Sequence, residues 1–147
     1  MEKTRVLFLC TGNSARSQMA EAFLRTYAPH AFEAHSAGLE PQGVHPMTVR
    51  VMDEVGIDIR SQRSKHLDEY MGKMFFGYLI TVCSHADASC PTVFPGVGVR
   101  MHWAFDDPAA LEGTESERLQ EFRRIRDEIR DRILSWLKEI RVEPART

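Results

Sequence analysis

Three cysteines, Cys10, Cys83 and Cys90, stand in a chain of 147 residues, and the first of them opens a stretch suited to oxyanion chemistry. That stretch is Cys10-Thr11-Gly12-Asn13-Ser14-Ala15-Arg16-Ser17. An apolar run, Val6 to Leu9, precedes it, and Met19, Ala20, Phe23, Leu24 and Tyr27 follow at helical spacing. A loop that turns from a strand into a helix aims several backbone N–H groups at one point, which favours an anion there. Thr11, Gly12, Asn13, Ser14, Ala15 and Arg16 are therefore the expected oxyanion-binding residues. Gly12 is expected to supply the unusual backbone angles of the turn. Arg16 adds a planar fork matched to tetrahedral oxyanions. The same positive field favours a thiolate on Cys10, and Ser17 is placed to donate a hydrogen bond to it. The competing reading is that Cys10 merely ends a buried strand. The strand before it, the helix after it and the hydroxyl of Ser17 favour the functional one.

Two further groups carry chemistry. Displacing oxygen from a tetrahedral oxyanion requires a proton on the leaving group, and Phe105-Asp106-Asp107-Pro108 offers carboxyls for that task. Taken alone, the two aspartates read as an Asp-Pro turn. Cys83 follows the apolar run Tyr78 to Val82, and Cys90 lies seven residues later in CSHADASCP. Redox relay, a zinc site with His85 and His102, and a structural role are all open to this pair. The spacing is not that of a zinc knuckle, so neither a metal nor a cofactor is expected.

The segment CTGNSARSQMAEAFLR resembles the signature of the low-molecular-weight tyrosine phosphatase superfamily, in its arsenate reductase branch. The resemblance continues through HSAGLEP, VCSHADASCP and HWAFDDPAA, so it covers nearly the whole chain. It implies an α/β fold: a four-stranded parallel sheet with helices on both faces, carrying the loop at the C-terminal end of the first strand. It implies Asp107 as general acid, because the family places that aspartate directly before proline. It implies that Cys10, Cys83 and Cys90 pass a disulfide along, through a transient Cys10–Cys83 bond to a Cys83–Cys90 bond reduced by thioredoxin. Arsenate is the implied substrate, with phosphate and sulfate as mimics. Phosphatases of the superfamily typically carry tyrosines after the aspartate-proline pair, where this chain has Ala109 and Ala110. A phosphomonoester hydrolase using Cys10, Arg16 and Asp107 is the alternative, and some residual phosphatase activity would fit either reading. A non-enzymatic oxyanion or redox sensor is a third. Some relatives hold potassium near the loop at positions resembling Asn13, Glu21 and Ser36 plus an acidic residue near position 65. Here that stretch has Arg63 and Lys65. A lysine ammonium in place of the ion predicts no potassium requirement.

These groups need elements to position them. The length favours one domain over 1–147, and 43% hydrophobic with 27% charged residues suits a packed core. The net charge of -2 with mixed signs gives no nucleic-acid surface and no membrane-binding face. The N-terminal apolar run is too short for a signal peptide or a spanning helix, and three cysteines are no secreted scaffold. A soluble, cytoplasmic protein is expected. Val6 to Leu9, Phe32 to Ser36, Tyr78 to Val82 and Val97 to Met101 read as strands. Helices are expected from Ser17 to Tyr27, closed by Pro29, and from Pro46, with Val49, Met52 and Val55 on one face and Gly56 as stop. Ser64 to Met71 reads as a further helix. Thr114 to Ile140 is the clearest, with a capping box at Thr114 and Glu117 and an apolar stripe from Leu119 to Ile140. The tail after Arg141 is expected to fray.

The relay constrains the segment between its last two thiols. Seven helical residues span about 10 Å, whereas a disulfide needs Cα atoms roughly 4.4–6.8 Å apart. If 83–90 is helical with both thiols reduced, oxidation must unwind it.

Overall fold

The computed structural model describes residues 3–90 and 94–145. The chain runs β1 (Thr4–Cys10), α1 (Arg16–Tyr27), β2 (Phe32–Gly38), α2 (Pro46–Asp53), β3 (Phe76–Thr81), α3 (Ser84–Ser89), β4 (Val97–His102) and α4 (Glu115–Glu139). The strands form one parallel sheet in the order β2-β1-β3-β4. Val6, Leu7, Phe8 and Leu9 are wholly buried, as unalternating apolar strands in a parallel sheet are when both faces are covered. Adjacent strand residues point to opposite faces. Ser36 meets Glu21 of α1, while the neighbouring His35 ring packs on Tyr70 beyond a short 3-10 turn at Leu67–Glu69. Helices thus lie on both faces of the four-stranded parallel sheet.

α4 carries the largest apolar stripe. Leu119, Phe122, Ile125, Ile129, Ile133, Trp136 and Leu137 are buried. Trp136 meets Phe32, Tyr78 and Trp103 edge-on or stacked, tying the helix to β2, β3 and the loop after β4. Its start is the capping box: Thr114 accepts from the Glu117 amide at 3.1 Å, and the Glu117 side chain accepts from the Thr114 amide at 3.2 Å.

Three expectations are corrected. Ser64 to Met71 is not a helix; only the turn at Leu67–Glu69 winds. The physical reason is competition from the sheet edge: the Gly38 amide donates to the Lys65 carbonyl at 2.7 Å, holding that stretch extended beside β2. Val55 is exposed, because α2 ends at Asp53 and Val55 falls in the turn that Gly56 closes at φ +78°. The tail does not fray at Arg141. The Val142 amide bonds the Leu137 carbonyl and the Ala145 amide bonds the Tyr27 carbonyl, returning the chain to α1. Residues 146 and 147 lie outside the described residues.

The outer edge of β2 is also occupied by a side chain. Ala34 and Gly38 have the same parity, so their main-chain groups face the same edge. Arg25 donates to the Ala34 carbonyl there at 3.1 Å.

Candidate active site

All four strands deliver their C-terminal ends to one place, the usual ligand-binding end of an open parallel sheet. β1 ends at Cys10, β3 leads into Cys83, and β4 leads into the loop carrying Asp107. A cavity of about 470 Å³ opens between them. Cys10, Thr11, Gly12, Ser14, Ala15, Arg16, Cys83 and Asp107 line it, with Gln42, Ser84, His85, Phe105 and Ala109.

The loop after β1 is held from outside by its carbonyls. Thr11 accepts from the Glu40 amide, Gly12 from the Gln42 amide and the Ser64 hydroxyl, and Asn13 from Ser64 and Gln18. Ser14 accepts from the His45 amide and the Thr48 hydroxyl. Four successive carbonyls are thus tied to the surrounding chain. The N-cap of α1 is Ala15, whose side chain cannot take a first-turn N–H. Those donors are left for a bound anion.

The left-handed residue of the loop is Asn13 (φ 47°), not Gly12 as expected. Asparagine tolerates that region, and its side chain adds what glycine lacks. Its Oδ1 accepts from the Lys65 amide at 2.8 Å and its Nδ2 donates to Ser17 at 2.8 Å. Ser17 is buried, and its hydroxyl accepts from Asn13, which ties the start of α1 to the loop. Gly38 fits against the loop: a Cβ there would stand 2.7 Å from the Thr11 carbonyl oxygen and 2.9 Å from the Asn13 amide.

Beneath the loop lies a buried ionic cluster. Glu21 is 4% exposed, accepts from the Ser36 hydroxyl at 2.5 Å, and lies 3.6 Å from the Lys65 ammonium. Lys65 is itself 8% exposed and donates to the Arg63 carbonyl. Burial lowers its pKa, opposed by the charge of Glu21. It is no surface lysine. Arg25 completes the neutralisation of Glu21 from the other side.

The three thiols are free and buried. Cys83 is the N-cap of α3; its sulfur accepts from the Ala86 amide at 3.4 Å and meets the Thr11 hydroxyl at 3.4 Å. A hydrogen bond with Cys10 draws its pKa down to about 5 against the cost of burial, helped by Thr11, the Ala86 amide and the charge of Arg16. The same bond, and then burial, hold Cys10 above the ordinary thiol range although Arg16 pulls it down. The two thiols share one proton, and a helix N–H and a hydroxyl that point at Cys83 help the pair to bear its negative charge. Cys90 is the C-cap of α3, and burial raises its pKa.

Arg16 donates to the Phe105 carbonyl at 3.0 Å and lies 3.8 Å from Asp107. Asp107 accepts from the Ala109 amide at 3.0 Å, which fixes its carboxyl at the mouth of the cavity. Asp106 turns away and pairs with Arg124 of α4 at 3.2 Å. Pro108 and Ala109 thus follow a carboxyl facing Arg16, while Asp106 tethers the loop. Among the described residues no cluster of three or more His, Cys, Asp or Glu could hold a metal. His85 lines the cavity, whereas His102 bonds Thr81.

Residue patterning missed Gln18, Gln42, His45, Thr48 and Ser64, which hold the loop through its carbonyls. A signal existed for Gln18 and Glu21: they are polar residues on the helical face that also carries buried Ala22 and Leu24.

Known proteins place this arrangement. An arsenate reductase of Halalkalibacterium halodurans is 46% identical over 136 residues, 92% of this chain and 96% of its own length. A solved arsenate reductase in the oxidised state superposes with TM-score 0.76 at 30% identity, covering 93% of this chain and 98% of that one. A thioredoxin-dependent arsenate reductase of Corynebacterium glutamicum superposes with TM-score 0.56 at 29% identity, covering 90% of this chain and 63% of that one. The family model of low molecular weight phosphotyrosine protein phosphatases matches residues 5–146. The chain belongs to the low-molecular-weight phosphotyrosine protein phosphatase family.

Proposed function

We propose that this protein is an arsenate reductase that works by a three-cysteine relay and is returned to the reduced state by thioredoxin in the cytoplasm. The observation that carries the reading is the second thiol, Cys83, which shares the cavity with Cys10 and is held by the Thr11 hydroxyl and the Ala86 amide. A phosphatase needs one nucleophile; a second thiolate within reach of the first is what disulfide formation needs. The relatives named arsenate reductase support the substrate, and the thioredoxin-dependent neighbour supports the reductant.

The reaction runs in balanced steps. Arsenate enters the loop against the N–H groups and Arg16, and the proton shared by the thiols moves from Cys10 to Cys83. The Cys10 thiolate attacks arsenic(V), and Asp107 protonates the oxygen that departs as water. The Cys83 sulfur then attacks that of Cys10, its proton passing to an arsenic oxygen. The S–As bond breaks, and its electron pair leaves with arsenite. Cys90 next attacks Cys83 and releases Cys10, and thioredoxin reduces the Cys83–Cys90 disulfide by ordinary exchange.

The test is arsenate-dependent NADPH consumption with thioredoxin and thioredoxin reductase. Wild-type protein consumes NADPH in proportion to arsenate. Cys90→Ser completes about one turnover and stalls as a Cys10–Cys83 disulfide visible by mass spectrometry. Hydrolysis of an aryl phosphate without any arsenate-dependent NADPH consumption would overturn the reading in favour of a phosphatase.

A further inference from the structure

We propose that Arg100 and Asp87 form a latch that holds the relay segment helical and thereby sets how readily the Cys83–Cys90 disulfide is reduced. The inference rests on the relay reading above.

α3 has six residues, and of these only Ala86 is buried. So short a helix is not stable by itself, so its neighbours must hold it. Asp87 is where they do so. The Arg100 guanidinium of β4 donates to the Asp87 carbonyl at 2.9 Å, taking up a carbonyl of the last turn that the helix leaves unpaired. The same group lies 3.6 Å from the Asp87 carboxylate. On the other side, Thr81 of β3 donates to that carboxylate at 3.0 Å, and His102 meets the Thr81 hydroxyl at 2.8 Å. Main chain and side chain of one helical residue are thus clamped between two strands.

The clamp is incompatible with the final disulfide. Closing Cys83 onto Cys90 from about 10 Å requires breaking the bonds from the Asp87 amide to Cys83 and from the Cys90 amide to Ala86. Asp87 lies in the middle of the segment that unwinds, so its contacts with Arg100 are lost with the helix. The latch therefore stabilises the dithiol over the disulfide. It makes the pair more oxidising and the closing reduction by thioredoxin more favourable.

The experiment uses full-length Cys10→Ser protein, in which only Cys83 and Cys90 can pair. It is equilibrated with mixtures of oxidised and reduced glutathione. In this exchange the protein dithiol loses two hydrogens and forms one S–S bond, while glutathione disulfide becomes two thiols. Adding Arg100→Met is expected to shift the equilibrium about tenfold toward the protein disulfide, about 30 mV more negative for a two-electron couple. Asp87→Asn shifts it the same way by less, because the carbonyl contact survives, and Arg100→Lys lies between Met and wild type. The direction is diagnostic. Arg100 lowers and Asp87 raises the Cys90 pKa, so a mere effect on thiol acidity would move the two variants oppositely. Opposite shifts, or no shift in Arg100→Met, would overturn the latch. Failure of the Cys10→Ser parent to form any Cys83–Cys90 disulfide would instead overturn the relay reading, and the latch with it.

Discussion

At the scale of single residues, the chemistry turns on who holds one proton. Cys10 was legible from its loop and from Arg16, but its charge state was not. That depends on Cys83, which arrives from 73 positions away through sheet order. The consequence is measurable by pH-dependent alkylation mapped by mass spectrometry. Wild-type protein is expected to be labelled at the Cys10–Cys83 pair well below the pH at which a free thiol reacts, because the bond between the thiols, Thr11 and the Ala86 amide draw Cys83 down. Because Cys83 is the leading cause that raises Cys10, Cys83→Ser should move Cys10 labelling to lower pH. An unmoved Cys10 profile would show that the two thiols do not share the proton. Arg16→Lys should weaken phosphate protection of Cys10 by about tenfold, because an ammonium cannot reproduce the fork. Lys65 gives a third residue-scale expectation. Its ammonium sits against buried Glu21, so activity should be equal in potassium and sodium buffers. Lys65→Asp should create a response to potassium; a potassium response in the wild type would count against the internal cation.

At the scale of elements, what could be read was whatever follows from periodicity. Thr114 and Glu117 marked the start of α4, and the stripe from Leu119 to Leu137 is the stripe that is buried. β1 and β3 formed on the apolar runs Val6 to Leu9 and Tyr78 to Val82, and β2 and β4 on the less apolar stretches Phe32 to Ser36 and Val97 to Met101. Ser64 to Met71 did not follow its pattern, because hydrogen bonds to the edge of β2 outcompeted a helix of poor length. Tertiary partners of this kind leave no local trace. Gly38 shows the same limit: its need is set by Thr11 and Asn13, which reach it only through pairing of β1 with β2. Gly38→Ala should therefore displace the loop. Phosphate affinity measured by calorimetry is expected to fall at least tenfold, while the far-UV dichroism of the sheet stays unchanged. Affinity equal to wild type would mean that the loop yields without cost. Thr114→Ala should lower unfolding free energy by about 1 kcal/mol in urea, as loss of an exposed cap does.

At the scale of the whole molecule, the sheet acts as a sorting device. Its parallel order sends these segments to one end, so two thiols, an arginine and a carboxyl from three stretches of chain share one cavity. The fold as a whole was legible from the resemblance and from the strand-loop-helix opening; the bracing of the loop by Gln18, Ser64 and Thr48 was not, because it exists only once distant segments pack. Coupling across this end predicts that oxidation is felt by α3 as a unit. Amide exchange from Ser84 through Ser89 should accelerate in the Cys83–Cys90 disulfide form, whereas protection in α4 stays constant. Equal protection of the segment in both forms would mean that the thiols pair without unwinding.

The Arg25 contact with the Ala34 carbonyl has a consequence outside chemistry. A sheet that ends in an open strand offers its unpaired main chain to any other strand, and growth by such addition is how folded proteins begin to aggregate. On β2 the Lys65 carbonyl occupies Gly38 and a charged guanidinium occupies Ala34, so an incoming strand would have to displace a cation already bound to Glu21 and Gln62. The residues that neutralise the acid beneath the catalytic loop also terminate the sheet. Solubility and catalysis are thereby tied together: a change at Arg25 would be seen first as turbidity in a concentrated sample.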